Sequence, residues 1–278
     1  MIDFFRDMPD NPFLRTGLLA GLLAGLACGV IGPYVVTRRI VFLSGAIAHM
    51  AVGGVGAALF FHTLFPVGFG WLAPMHGAMF AALAAAVIIG VINRRMSERM
   101  DTLIGALWAV GMAGGILLIK YTPGYHTELM KYLFGNIVYV AWDDVWLMAA
   151  LDVVIVAAVL LFHKRLLALC LDEQQAELQG VDVLSTNIVL LCLVALTVIC
   201  LTQVVGLILV IALLSLPAAT AAHHVSRMGP LILLSTVLCA LITTLPRIAV
   251  YGTRIGPESA IVLTAGAVYL LSVAVRRR

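Results

Sequence analysis

Charge is what this chain has least of. Of its 278 residues only 11% are Asp, Glu, Lys or Arg, while 63% are hydrophobic. A soluble globular domain carries about 25% charged and about 45–50% apolar residues, so a water-soluble fold is excluded. Lysine is nearly missing: Lys120, Lys131 and Lys164 are the full set, and none follows a glycine and precedes Ser or Thr. No GxxxxGK[ST] occurs, so the chain has no phosphate-binding loop of its own. Any ATP-driven step then belongs to another polypeptide. HExxH and GxSxG are absent, and no Ser/His/Asp spacing or facing carboxylate pair marks a hydrolase. The chain is not read as an enzyme. No basic patch is interleaved with aromatics, so nucleic acid is not an expected partner. Cys28, Cys170, Cys192, Cys200 and Cys239 show no CxxC spacing. They read as small membrane-core residues, with no disulfide framework, thiolate metal site or tightly bound cofactor. The start, MIDFFRDMPDNPFLR, sets three acids against two arginines. It lacks a basic leader, so the apolar run after it reads as a membrane helix.

What the sequence does have is a succession of apolar runs, at about 13–36, 42–61, 72–92, 102–119, 143–162, 188–205, 206–222, 230–249 and 258–275. A helix crosses a bilayer in about 20 such residues. The expected fold is therefore an all-α polytopic membrane protein, one transmembrane domain over 1–278, with eight or nine helices. The pair at 188–222 leaves the count open: it is too long for one crossing and barely enough for two at ~1.5 Å per residue. Gly206 and Pro217 can break it. Charge favours nine. With nine crossings and the N-terminus outside, Arg38, Arg39, Arg94, Arg95, Arg99, Lys164, Arg165, Arg227 and Arg276–Arg278 all face the cytoplasm, leaving six Lys or Arg outside. Multi-pass insertion follows.

One polar island interrupts the second half. In LDEQQAELQGVDVLSTN (171–187) Asp172 can cap a short helix, Gln175 can reach back to it, and Gly180 supplies a stop. About two turns are too few to stand alone in water, so this helix needs something to dock against. The loop 163–187 reads as a cytoplasmic handle, with a plain solvated connector as the other reading. Small residues mark packing faces: Gly45, His49, Gly53 and Gly56 fall near one face of the second run, and Gly105, Gly111, Gly114 and Gly115 are expected to do the same for the fourth. These faces serve tight packing alone or also line a path. The segment 121–141, with Trp142 and Trp146 after it, suggests a partly helical cap at the outer boundary.

Ionisable groups inside apolar runs are costly unless they meet protein or water. His49 lies about two turns into the second run, and Asp152 near the middle of the fifth. Imidazole and carboxylate suit divalent metals, although a lone buried histidine is also a common packing residue. His62, His76, His126, His223 and His224 sit at edges; neighbours on a helix point about 100° apart, so the last two are a weak metal signal.

Four stretches together resemble a known family. RRIVFLSGAIAH (38–49), ELMKYLFGNI (128–137), LDEQQAELQGV (171–181) and VVGLILVIALLSLPAATA (204–221) are similar, in order, to the "FLGDALAHA", "LMxYLFGNI", "FDEExAxxxGV" and "VGxLLVxALLxLPAATA" segments of the membrane subunit of bacterial zinc/manganese/iron ABC importers. The resemblance covers about residues 13–275. It implies a fold like the larger cobalamin and siderophore (type II) importers, a place in the bacterial cytoplasmic membrane, and a homodimer around a translocation path. It also implies two copies of a separate ATP-binding cassette subunit and a periplasmic or lipoprotein metal-binding protein. A divalent metal is then substrate, not cofactor. Carried over by position, Asp172, Glu173, Gln174, Glu177 and Gly180 belong to the coupling loop, and His49, with Asp152 as a candidate helper, to the path lined by Gly45, Gly53 and Gly56.

Two positions depart from the family pattern. The acid usually found four residues before the histidine is Gly45 here, after Ser44. Where zinc members often have a second histidine, this chain reads GALWAVGMAGG (105–115). Zinc is weakened by this, and manganese and iron stay open. The competing classes are an ion-gradient-driven secondary transporter or channel, which leaves the capped acidic loop unexplained, and a membrane metalloenzyme, which lacks a paired-ligand motif.

Overall fold

The computed structural model describes residues 2–65, 68, 71–95, 100–123 and 140–276. The helices are α1 (Ile2–Asp7), α2 (Pro12–Thr37), α3 (Val41–Leu64), α4 (Pro74–Arg95), α5 (Met100–Tyr121) and α6 (Trp142–Leu171). They continue with α7 (Glu173–Leu178), α8 (Val183–Val205), α9 (Leu207–Ala222), α10 (Met228–Ala249) and α11 (Pro257–Arg276). Eight of them are long and apolar enough to cross a membrane. The expected outer cap lies outside the described residues from 124 to 139.

The doubtful pair resolves into two helices. Gly206, at φ 78°, ends α8 by donating its N–H to Thr202 O and starts α9 by accepting from Val210 N–H. A side chain is disfavoured in that left-handed region, which is why the break falls on a glycine. α9 has 16 residues, about 24 Å at 1.5 Å per residue, short of a ~30 Å hydrocarbon core. Pro217 lies within it without ending it; neighbouring helices re-satisfy backbone groups freed by proline in a membrane.

Cross-helix contacts set the directions. α6 brings its C-terminal end to that of α2: Tyr34 Oη is 2.7 Å from His163 Nδ1, and Arg38 Nη1 donates to Leu169 O at 3.1 Å. α10 runs against α2, with Thr243 Oγ1 donating to Gly21 O at 2.9 Å and Arg247 Nη2 to Phe13 O at 3.4 Å. α9 meets α2 where Gly32 faces Leu214 and Ala218. α9 and α11 therefore both finish at the end of the bundle that carries Arg38, Lys164 and Arg227. This is the geometry that the charge distribution asks for. The core is built around α2, α3 and α8, which pack against helices on several sides, while α5 and α11 keep broad apolar faces outward. Leu160, Leu161, Leu263 and Leu270 are among the exposed leucines. Lipid chains, not water, suit such a surface.

Candidate functional site

A close seam joins α3 to α5 and is written in small residues on both. A Cβ on Gly53 would lie 2.9 Å from Gly111 O, and one on Gly56 2.5 Å from Gly115 O. The backbones meet almost directly, as the spacing of Gly45, Gly53 and Gly56 predicts. The matching expectation for α5 holds only in part. Gly111 and Gly115 enter the seam, whereas Gly105 and Gly114 have open space beside them, because they lie off the line of closest approach.

His49 sits in this seam and is buried. Its ring stacks on Trp108 of α5, with centroids 4.4 Å apart and planes 25° apart. Its Nδ1 is buried and has no hydrogen-bond partner. One turn earlier, a Cβ on Gly45 would lie 2.7 Å from Trp108 Cζ3. The indole thus occupies the space an acid at 45 would need. Trp108 was not singled out from sequence, although the signal is there: Trp108, Gly111 and Gly115 share one stripe at i, i+3 and i+7.

Beyond Trp108 and Gly45, toward the basic end, opens a cavity of about 600 Å³. Leu43 and Ile104 line it, two residues from Gly45 and one turn from Trp108, and Asp101, Glu173, Glu177, Asn93 and Asn187 give it polar walls. On the other side, the void among Ala51, Val52, Val55 and Met75 is only about 10 Å³, at the lower limit for one water. Along α3, His49 falls between Leu43, which lines the larger space, and Ala51, which lines the smaller.

The polar island forms α7. Asp172 Oδ1 accepts from Gln174 N–H at 2.8 Å and Gln175 N–H at 3.2 Å. At the other end Val181 N–H bonds Ala176 O and Gly180 N–H bonds Glu177 O, with Gly180 at φ 78°. This is a Schellman stop, and it satisfies carbonyls the helix would leave bare. Ala176 is buried, which docks the helix, while Gln174 and Glu177 are exposed. Glu173 is not simply free to face outward: its Oε1 pairs with Arg38 Nη2. The island is fastened to the junction of α2 and α3.

Asp152 is buried, and neither carboxylate oxygen has a hydrogen-bond partner. It lies within electrostatic reach of Cys28 on α2 and Cys200 on α8. The structure does not join it to His49: Asp152 belongs to the α2–α6–α8 packing and His49 to the α3–α5 seam. Among the described residues, no three His, Cys, Asp or Glu converge on a point that could hold a metal ion. His126 and Glu128 lie outside the described residues.

Comparisons with known proteins agree with this architecture. The model of the ABC 3 transport family matches residues 10–276. A probable metal transport system membrane protein of Chlamydia trachomatis is 37% identical over 96% of this chain and 90% of its own length. The manganese import system permease protein ScaB of Streptococcus gordonii is 29% identical over 97% of this chain and 94% of its own. Among solved structures, PsaBC from Streptococcus pneumoniae in complex with Fab superposes with a TM-score of 0.85 at 30% identity, covering 98% of this chain and 95% of that one. The chain belongs to the ABC 3 transport family.

Proposed function

We propose that this chain is the membrane subunit of an ATP-driven importer for a divalent transition metal ion, with manganese the first ion to test. The observation that carries this reading is His49. It is a buried imidazole with an unbonded Nδ1, about two turns along α3 from Leu43, which lines the polar cavity at the basic end. A neutral ring nitrogen can ligate a divalent ion, and Asp101 and Glu177 offer carboxylates in a cavity that Arg38 and Arg39 also line. The names of relatives point to manganese, as ScaB of Streptococcus gordonii does. Zinc and iron remain comparison ions.

In this reading the chain hydrolyses nothing. Two copies pair around the path, two separate ATPase subunits grip α7 and its flanks, and an outer metal-binding protein delivers the ion. Asp172 and Gly180 shape α7, Gln174 and Glu177 face the ATPase, and Glu173 passes the movement to Arg38. Arg38 leads through Arg39 and Ile40 into α3, the helix of His49. A push on α7 then reaches the His49–Trp108 stack along covalent and ion-pair links, giving two arrangements of one element in the sense of a switch. Gly53 and Gly56 keep α3 seated on α5 as it moves.

The test is metal uptake into vesicles holding the full complex. His49→Ala should cut flux strongly while assembly and ATP hydrolysis persist. Wild-type flux in that variant, for every metal tried, would show that His49 only packs. Asp152→Asn, in a different seam, should have the smaller effect.

A further inference from the structure

α9 ends at the basic end of the bundle, next to the end of α11. His223 is the C-terminal cap of α9, in helical backbone, and His224 follows in the turn. Within a helix, two adjacent side chains would diverge by about 100°. Here the helix has stopped, and both rings come to one atom. Ser272 Oγ of α11 lies 2.9 Å from His223 Nδ1 and 3.2 Å from His224 Nε2. Ser272 is buried and His224 exposed, so the trio is reachable from that face but rooted in the bundle. Tyr269, one turn before Ser272, stacks on His223 at 5.6 Å and 30° and fixes its ring plane.

We propose that His223, His224 and Ser272 form a second divalent-metal site on the basic, cytoplasm-facing end, separate from the path and pinning α9 to α11. A hydroxyl has one hydrogen, so in the metal-free state Ser272 can donate to only one of the two rings and must accept from the other. With a metal, both ring nitrogens offer lone pairs to the ion and the hydroxyl oxygen serves as a third donor. Two imidazoles and a hydroxyl, with no carboxylate among them, suit borderline ions such as zinc, cobalt, nickel or copper better than manganese. The C-terminal end of α9 supplies a further preference for positive charge, because its last carbonyls point that way. Exposed His224 puts the trio in reach of solvent, which can complete the ion's coordination.

The site has a mechanical consequence. α9 carries the LPAATA segment and packs on α2 through Leu214 and Ala218. An ion that clamps its end to α11 resists any movement of α9 during a transport cycle. Metal accumulated on the cytoplasmic side would then slow further import. That consequence rests on the import reading above, whereas the binding site does not.

Cobalt titration separates the two. Purified chain carrying His49→Ala should bind one cobalt ion per chain, with the visible absorption of histidine-ligated cobalt, and zinc should displace it. Adding His223→Gln and His224→Gln should abolish the signal. Ser272→Ala removes the third donor and leaves both imidazoles, so binding should weaken by at least the ~10–100-fold that loss of an outer partner costs at metal sites. Cobalt binding unchanged by the double histidine substitution would overturn the site, leaving the trio as a hydrogen-bonded tether. In vesicles holding the full complex, zinc on the cytoplasmic face should lower wild-type uptake but spare the His223→Gln/His224→Gln variant. Equal inhibition of both would overturn the clamp while leaving the site and the import reading standing.

Discussion

The indole of Trp108 lies flat over the imidazole of His49, and Gly45, one turn away, is the residue that makes room for it. The pair joins α3 to α5, with Leu43 and Ile104 of the polar cavity on the same two helices.

The family pattern alone implies that restoring an acid at position 45 tightens metal binding. The structure changes that expectation. A Cβ at 45 would sit 2.7 Å from the indole, so Gly45→Asp alone should displace Trp108 and lower flux about as far as His49→Ala. Gly45→Asp with Trp108→Ala provides space for the carboxylate. The double variant should bind manganese more tightly than Trp108→Ala alone, by equilibrium dialysis of the purified chain. No difference between those two would mean that position 45 does not face the ion.

The α3–α5 seam makes a second prediction, on folding. Gly53→Leu or Gly115→Leu forces two backbones apart, and overpacking of this kind costs about 1–3 kcal/mol. Both should lower the melting temperature of the purified chain and its yield in membranes. Gly105→Leu and Gly114→Leu, with open space beside them, should do neither. Similar losses at all four positions would mean that the helices do not meet on this line.

At α7, Glu173→Lys places like charges at Arg38 and should uncouple ATP hydrolysis from transport in the assembled complex. Arg38→Glu together with Glu173→Arg should restore part of the coupling, since the pair is re-formed. Gly180→Ala should cost about 1–2 kcal/mol of local stability, because a side chain is disfavoured in the left-handed region; faster amide exchange across 173–181 would report it. If Glu173→Lys and Gly180→Pro both transport normally, the island is only a connector.

Sidedness can be read with single cysteines in a cysteine-free chain. Ser226, between α9 and α10, should react with an impermeant maleimide only from the cytoplasmic side. Thr253, exposed in the turn after α10, and Thr127 in the outer segment should react only from outside. Reversed labelling would invert the orientation drawn from the arginines.

Much of this protein was legible in its sequence. Long apolar runs with clustered charge leave few alternatives, since backbone polar groups in lipid must be satisfied within helices. The short helix after Asp172 and its stop at Gly180 were readable for the same local reason: capping depends on residues two to five apart. The glycine stripe of α3 was readable because helical periodicity puts it on one face. The remaining contacts depend on which helices become neighbours. Trp108 on His49, Arg38 on Glu173 and Tyr34 on His163 join residues 59, 135 and 129 positions apart in the chain. Asp152 was separated from His49 by the same assembly, because α6 packs with α2 and α8 rather than in the α3–α5 seam. The histidine pair at 223–224 looked divergent while it was assumed to lie within a helix. It converges because α9 ends beneath it and α11 arrives with Ser272. A pattern along one chain specifies the face a residue occupies, but the partner on that face is set by packing between segments far apart in sequence.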